Sequence, residues 1–327
     1  MSEPADASHA KNLSFARRAW CLLQYLALRL AIAFVLGLPD FLARGLVRLG
    51  ARLAYRLDWK HPARAEEHLR SAGWSARRAH VIGRRMYEHF AVSFWESLLL
   101  RRRLNPATWT RYVRLENWDL LETEVASKRG AICVGCHEGN WELAGVVSTA
   151  VGMPLTTVAR SFGNPYIDDY LNAGLRQEKG RKTVVQTGAI RQLFRDLREG
   201  RLAVLLADQN AGRDGVFVPF FGRPASTVGT PALLHIKTGA SILPFYTYRE
   251  APFRYVFGFH SDPSPALTGK NEQDVLAITA WYTAIFERSI RSHPEQWLWA
   301  HRRWRSLPGE GKAERAAKAG AGTGGGA

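Results

Sequence analysis

Cysteine is scarce. Cys21, Cys133 and Cys136 are the only three in 327 residues. An odd, sparse set argues against a disulfide framework and fits a reducing compartment. A structural zinc site needs a second ligand pair, and there is no second Cys pair to supply it. Acid is also in deficit, with 29 Asp/Glu against 45 Lys/Arg and a net charge of +16. The imbalance is local: residues 1–114 hold 20 Lys/Arg and 8 Asp/Glu, so +12 of the +16 lies in the first third. Such a surface suits a polyanion, whether anionic lipid, nucleic acid or an acidic protein. No helix-turn-helix, zinc finger or single-strand stacking platform is recognisable, which argues against nucleic acid. No internal repeat occurs at solenoid periods.

Long apolar runs are few, and the longest is near the start. Cys21 to Leu38 is 18 residues, at the short end for crossing a bilayer. Arg29 near its middle costs about 2.5–3.5 kcal/mol on insertion scales. No small-x-small site follows; the chain reads Leu38-Pro39-Asp40, so a cleavable signal peptide fits poorly. A buried core helix, an in-plane anchor and a full span all remain open. From Asp40 to Asp58, Arg44, Arg48, Arg52 and Arg56 recur every fourth residue beside a stripe of Leu42, Leu46, Leu49, Leu53 and Leu57. That is a basic amphipathic helix of the interfacial kind, or a surface helix packed on a core. Helical pattern continues through Arg64–Ser71 and Ser75–Leu100 and ends at Arg101-Arg102-Arg103.

From about Trp109 the texture becomes alternating strand and helix. Helices are expected over Trp118–Ser127, Trp141–Val151, Ile167–Glu178, Ile190–Glu199, Pro231–Thr238 and Gln273–Ser292. Strands are expected over Ala131–Cys136, Leu155–Arg160, Lys182–Val185, Leu202–Asp208, Ile242–Tyr248 and Arg254–Phe259. The expected fold is α/β: a mainly parallel central sheet flanked by helices, with an α-helical, membrane-associated N-terminal region. The expected organisation is a disordered 1–14, an anchor and amphipathic helix over 15–60, an α/β domain over 61–305, and a disordered Gly/Ala-rich tail over 306–327.

Three ionisable residues end strands: His137, Arg160 and Asp208. Ligands in such sheets bind at the carboxyl ends of the strands, so these three mark one cleft. His137 opens His137-Glu138-Gly139-Asn140-Trp141-Glu142. Its imidazole supplies a base near neutral pH. On a continuous helix His137 and Glu142 lie about 140° apart and do not meet. A turn at Gly139, with Asn140 capping the next helix, lets them converge. Glu142 then sits in a first helical turn, where the dipole favours its ionised form. Held on one nitrogen by that carboxylate, His137 is free to take a proton on the other.

Other readings of these residues are weaker. Cys133-x-x-Cys136-His137 matches the c-type haem pattern, but both cysteines fall on an apolar strand. Position 141 is Trp where a zincin needs His. No metal site is expected.

His137 to Glu142 resembles the first motif of the late acyltransferases of lipid A biosynthesis, within the glycerolipid acyltransferase superfamily, whose signature is His, four residues, then Asp or Glu. Further blocks follow in the family's order. They are Val158-Ala159-Arg160 before Asn164-Pro165, Asp208-Gln209, Val218 to Ala225 with Thr227 and Gly229-Thr230-Pro231, Thr238 to Pro244, and Pro294 to Trp304. The resemblance runs from about residue 15 to 305. Cys136, directly before His137, departs from the small residues familiar there.

The resemblance implies transfer of a fatty acyl chain from an acyl thioester to a hydroxyl of a lipid A precursor. Another glycolipid or aminolipid acceptor, or a lapsed site in a membrane-associated binding protein, are the alternatives. His137 would be the general base, Glu142 its orienting carboxylate, and no acyl-enzyme would form. Arg160 and Asp208 would bind substrate, Arg160 by holding a phosphate, or would pair with each other structurally. Gly139 and Asn140 would border the substrate, Asn140 chiefly as a cap. Val216 to Phe221 would wall an acyl tunnel or belong to the core. No cofactor is implied beyond the acyl thioester. The implied partners are acyl carrier protein or acyl-CoA, anionic membrane lipid and the lipid acceptor. The implied place is the cytoplasmic face of a bacterial inner membrane.

Overall fold

The computed structural model describes residues 13–159, 163–171, 180–185 and 188–309. Most of both tails expected to be disordered lies outside these residues, and so does Arg160. Four helices come first: α1 (Phe15–Leu36), α2 (Asp40–Leu57), α3 (Lys60–Ser71) and α4 (Ala76–Arg103). Ser75 caps α4 by accepting from the Arg78 amide.

The remaining chain alternates as expected: β1 (Val113–Glu116), α5 (Trp118–Ala126), β2 (Ala131–Gly135), α6 (Glu142–Ala150), β3 (Leu155–Ala159), the short α7 (Pro165–Asp168), β4 (Arg181–Val185), α8 (Ala189–Arg198) and β5 (Leu202–Leu206). A hairpin of β6 (Val216–Phe220) and β7 (Arg223–Thr227) follows. Then come α9 (Thr230–Thr238), β8 (Ser241–Ala251), β9 (Arg254–Phe259) and α10 (Asn271–Ser292). The helix expected over Ile167–Glu178 is described only at its start, because residues 172–179 lie outside the described set.

Seven strands form one sheet in the order β1-β9-β8-β2-β5-β3-β4. The block from β8 to β4 is parallel throughout; β9 runs antiparallel to β8, and β1 runs with β9. The sheet is thus mainly parallel and flanked by helices. Two elements went unforeseen. β1 is a four-residue edge strand carrying Arg114 and Glu116, which gives no apolar run. The β6–β7 hairpin contains Pro219 and Pro224, paired with each other outside the main sheet, and proline argues against a central strand.

Alternation along β2 divides the core. Ile132 and Val134 pack with Ala203 and Leu205 of β5, with α8, α9 and α10, and with the C-terminal Trp297, Trp299 and Trp304. Ala131 and Cys133 face the other way, onto Leu202, Leu243, Phe257 and the buried side of α5 and α6. Burial on both faces is why β2 and β5 read as unbroken apolar runs. The hairpin belongs to the first layer. Val218, Phe220 and Phe221 are buried, the last two against Trp297, so the core reading holds for these three residues of Val216–Phe221.

A buried ion pair ties α4 to the sheet. Glu96 is fully buried and accepts two bonds from Arg249, both at 3.1 Å, one from the Phe253 amide at 3.3 Å, and one from the Tyr255 hydroxyl. Removing one partner of such a pair strands the other charge, at about 3–5 kcal/mol. Glu96→Ala is expected to lose stability on that scale in urea unfolding. A loss under about 1 kcal/mol would show that the pair does not hold α4.

Candidate active site

Strand register builds the centre of the site. In the parallel pairing of β2 and β5, Gly135 lies opposite Leu206, and the ladder extends one step as the Ala207 amide donates to the Gly135 carbonyl at 2.9 Å. Two residues beyond that pair on each strand stand His137 and Asp208. The His137 backbone amide donates to Asp208 Oδ2 at 2.9 Å, and His137 Nδ1 lies 2.7 Å from Asp208 Oδ1. Trp297 Nε1 donates to Oδ2 at 2.7 Å.

Asp208 is 3% exposed. Burial alone would raise its pKa; the facing imidazole and the bonds from His137 and Trp297 outweigh it and hold the carboxyl at about 2. An ionised carboxylate only accepts, so Nδ1 carries a proton, and Nε2 is the nitrogen left for exchange. Gln209 Nε2 stands 3.4 Å from that nitrogen, and the Trp141 ring meets the imidazole edge-on at 4.9 Å.

The turn after His137 is pinned from three directions. Gly139 donates to the Gln296 carbonyl at 2.9 Å and accepts from His89 Nε2 of α4 at 3.0 Å. Burial pushes His89 down to about 4, so it stays neutral and donates through Nε2. Glu138 pairs across an isolated antiparallel bridge with Trp297. Thr247 of β8 donates to the Glu138 carbonyl at 3.1 Å and accepts the Asn140 amide at 3.0 Å. At Gly139, φ is +61° and an added Cβ would fall 1.9 Å from the Thr247 carbonyl oxygen, so only glycine fits.

This turn corrects the expected dyad. The carboxylate on Nδ1 is Asp208, not Glu142. Glu142 opens α6 and lies 3.5 Å from Arg101 and 3.6 Å from Arg181. Gly139 turns the chain so that α6 starts beside those guanidinium groups, while the β2–β5 register has already brought Asp208 to the imidazole. Asp208 is therefore a buried partner of His137. Asn140 is 3% exposed, and its side chain is used on α4: it accepts from Ser97 Oγ at 3.0 Å and donates to the Ser93 carbonyl at 3.4 Å. Neither Gly139 nor Asn140 is among the described residues that line the cavity. Arg160 lies outside the described residues.

A cavity of about 440 Å³ opens beside His137. Trp141, Glu142 and Gly145 of the α6 segment form one wall, and Arg181, Gln209 and His301 add polar groups. Its floor is largely apolar: Ala159, Val204, Leu206 and Phe245. Gly145 admits the Arg181 guanidinium, since an added Cβ would sit 2.5 Å from its Nη1. Gln209 and the Pro294–Trp304 block were visible as short motifs, but nothing local in the sequence marks Trp297 as the donor to Asp208. Arg101 and Arg181 carried no signal beyond their charge.

Cys133 and Cys136 are both buried, but in different cores on opposite faces of the sheet, so their thiols do not form a pair. Burial pushes the Cys133 thiol up to about 12, and burial with Glu138 and Asp208 nearby raises Cys136 well above the usual thiol value. No cluster of potential metal ligands occurs among the described residues.

Residues 11–306 match the family model described as bacterial lipid A biosynthesis acyltransferase. The chain belongs to this family. It is 31% identical over 195 residues to the phosphatidylinositol mannoside acyltransferase of Mycobacterium tuberculosis, a match covering 57% of this chain and 58% of that protein. The Escherichia coli lipid A biosynthesis lauroyltransferase is 28% identical over 230 residues, covering 69% of this chain and 70% of that one. The palmitoleoyltransferase of the same organism is 26% identical over 230 residues, with the same shares.

Glu138 gives a test of the site's electrostatics. One of its oxygens accepts from Ser289 Oγ at 2.6 Å, while Oε1 is buried without a hydrogen bond. Burial, then the charges of Asp208 and Glu295, raise its pKa to about 8, against the bonds from Ser289 and Cys136. The folded state therefore keeps a proton that the unfolded chain gives up near the ordinary carboxyl value of 4.5. Stability from this group is complete below that value and falls as pH rises towards 8. The slope is about 1.4 kcal/mol per pH unit for one proton. Comparing urea midpoints at pH 5 and pH 8 is expected to show a shallower loss in Glu138→Gln than in the wild type. Equal slopes would show that Glu138 is ionised in the fold.

Proposed function

We propose that the protein is an O-acyltransferase that moves a fatty acyl chain from an acyl thioester to a hydroxyl of a glycolipid. A lipid A precursor is the leading acceptor. The observation that carries this reading is the fixed tautomer of His137: Asp208 takes Nδ1–H, and Nε2 is left with its lone pair at a cavity with an apolar floor.

The mechanism follows from those atoms. A lipid hydroxyl is a weak nucleophile near neutral pH. His137 Nε2 takes its proton as the oxygen attacks the thioester carbonyl, and the imidazolium that forms is stabilised by Asp208. The tetrahedral intermediate collapses with loss of the thiolate, which takes the proton back from Nε2. Every atom of the acyl group passes directly to the acceptor. No acyl-enzyme is needed, and the burial of Cys136 and its raised thiol pKa support that. Glu142 serves by holding Arg181 in the cavity wall. Arg160 retains, on resemblance, the role of binding a phosphate. The donor is acyl carrier protein or coenzyme A, and the place is the cytoplasmic face of the inner membrane.

A second acceptor has a specific reason behind it. The mycobacterial relative is named for a mannosylated phosphoinositide and is 31% identical. That supports a wider glycolipid reading of the same chemistry.

His137→Ala is expected to lower kcat at least a thousandfold, and Asp208→Asn by roughly 10²–10⁴, each measured on protein that is folded by circular dichroism. The assay is transfer from acyl carrier protein and coenzyme A donors. Full activity in His137→Ala would overturn the mechanism. Cys136→Ser is expected to retain activity; trapping of a Cys136 thioester would replace direct transfer with a covalent route. Mass analysis of lipids from a deletion strain identifies the acceptor. One missing acyl chain on lipid A supports the leading reading, and one missing from another glycolipid supports the second.

A further inference from the structure

A base and its carboxylate do not complete the machinery of acyl transfer. Attack on a thioester carbonyl pushes an electron pair onto the oxygen, and that oxyanion is stabilised by hydrogen-bond donors fixed beforehand. Backbone amides of the turn after His137 would be natural donors, but they are engaged. The His137 amide donates to Asp208 at 2.9 Å, and the Glu138 amide to the Cys136 carbonyl at 2.8 Å. The Gly139 amide donates to the Gln296 carbonyl at 2.9 Å, and the Asn140 amide to Thr247 Oγ1 at 3.0 Å. Side chains of the cavity wall are the alternative.

Three consecutive residues just beyond β5 reach two histidines. Asp208 meets His137 Nδ1 at 2.7 Å, and Gln209 Nε2 stands 3.4 Å from His137 Nε2. The backbone amide of Asn210 then donates to His301 Nε2 at 3.1 Å. An amide N–H has only a proton to offer, so His301 Nε2 supplies the lone pair. A ring with an accepting nitrogen is the neutral imidazole, and its one N–H is at Nδ1.

His301 lines the cavity together with His137 and Gln209, whereas Asn210 is not among the described residues that line it. The two ring nitrogens face apart. With Nε2 turned to Asn210, the Nδ1 edge is the one able to meet a ligand in the cavity.

The segment that carries the ring is fastened on both sides. Trp299 and Trp304 are buried. The buried Arg303 donates to the Ser226 carbonyl and to Thr227 Oγ1 of β7. Asn210 Nδ2 donates to the Arg303 carbonyl at 3.2 Å. Asn210 Oδ1 accepts from the Gly212 amide at 2.8 Å and from Ser306 Oγ at 3.1 Å. The same strand end therefore positions both imidazoles, and a donor held in place before the reaction needs no reorganisation during it.

We propose that His301 is a catalytic residue of the transfer: neutral, with its proton on Nδ1, it donates a hydrogen bond to the thioester carbonyl oxygen as that oxygen becomes the oxyanion. This role rests on the transfer reaction proposed above. The acceptor oxygen bonds to the carbonyl carbon, its proton passes to His137 Nε2, and the C=O pair moves onto oxygen beneath the Nδ1–H of His301. His301 keeps its proton throughout. When the C=O re-forms, the C–S bond breaks, and the thiolate leaves with the proton from His137. One ring is the base and the other the electrophile. Opposite partners from one strand end make them so, a carboxylate that only accepts and an amide that only donates.

The test uses the full chain. His301→Phe keeps a ring without a donor, and His301→Asn restores a side-chain N–H near the place of Nδ1. Transfer to a lipid A precursor is measured from dodecanoyl and hexadecanoyl thioesters of acyl carrier protein and of coenzyme A. His301→Phe is expected to lower kcat by about 10²–10³, with KM for donor and acceptor within about twofold. His301→Asn is expected to recover roughly tenfold of that loss. Long-range proton–nitrogen correlation spectra of protein with isotope-labelled histidine supply a readout apart from activity. The ring signals missing from either variant are expected, in the wild type, to be those of a neutral imidazole protonated on Nδ1. The His137 signals are expected to stay in place in both variants. Full kcat in His301→Phe, a loss confined to KM, or a His301 ring protonated on Nε2 would each overturn the proposal and leave the transfer reading standing. Displaced His137 signals would make His301 a support of the base and overturn it as well. A wild type inactive with every donor would overturn the transfer reading, and this role with it.

Discussion

The short contact between His137 Nδ1 and Asp208 Oδ1, 2.7 Å, sets the terms for everything around it. A carboxylate as buried as Asp208 would ordinarily take up a proton. Here its two oxygens receive the imidazole, a backbone amide and the Trp297 indole, and the charge is kept. That charge in turn decides which imidazole nitrogen carries the proton. Remove the donors and the carboxyl becomes neutral; remove the carboxylate and the tautomer is no longer fixed. The loop from Glu138 to Asn140 is fastened to α4, to β8 and to the Gln296–Trp297 segment, so the imidazole is carried by a turn with little freedom.

Much of this was legible along the chain, because its signals are local. Apolar runs marked β2 and β5, and the polar residues ending them marked the cleft, so His137 and Asp208 were both singled out. Their partnership was not legible. It depends on β2 lying beside β5 with Gly135 opposite Leu206, a pairing 71 residues apart that no local pattern encodes. Glu142 is the first carboxylate along the chain after a plausible turn, which points to it as the partner of His137. The turn exists, but it delivers Glu142 to Arg101 and Arg181. Asn140 resembles a cap for the same reason. Ser93 and Ser97, on a helix more than forty residues earlier, supply its partners instead. β1 and the β6–β7 hairpin were missed because short, charged or proline-bearing strands resemble loops until their neighbours are known.

The two carboxylates of the site therefore do different work. Asp208 is matched by the imidazole and two neutral donors, which suits a charge that must be strong and local. Glu142 is matched by two guanidinium groups and sits in the first turn of α6, where the helix dipole favours an anion. Both His137 and Arg181 line the cavity, so each carboxylate fixes a different polar group of its wall.

That division bears on how a motif of His, four residues and an acid should be read in this chain. Spacing alone invites the reading of a catalytic pair. In this fold the spacing has another physical origin: the histidine must end β2, the acid must begin α6, and the turn between them must contain Gly139, because a Cβ there would strike the Thr247 carbonyl. The acid's distance from the histidine along the chain is the length of a strand-to-helix turn. Its partners are whatever cations that helix start faces, here Arg101 from the end of α4 and Arg181 from the start of β4. The histidine's carboxylate comes from the neighbouring strand, where the register of a parallel sheet places it. A substitution at Glu142 is then felt first by Arg101 and Arg181 and only through them by the imidazole of His137.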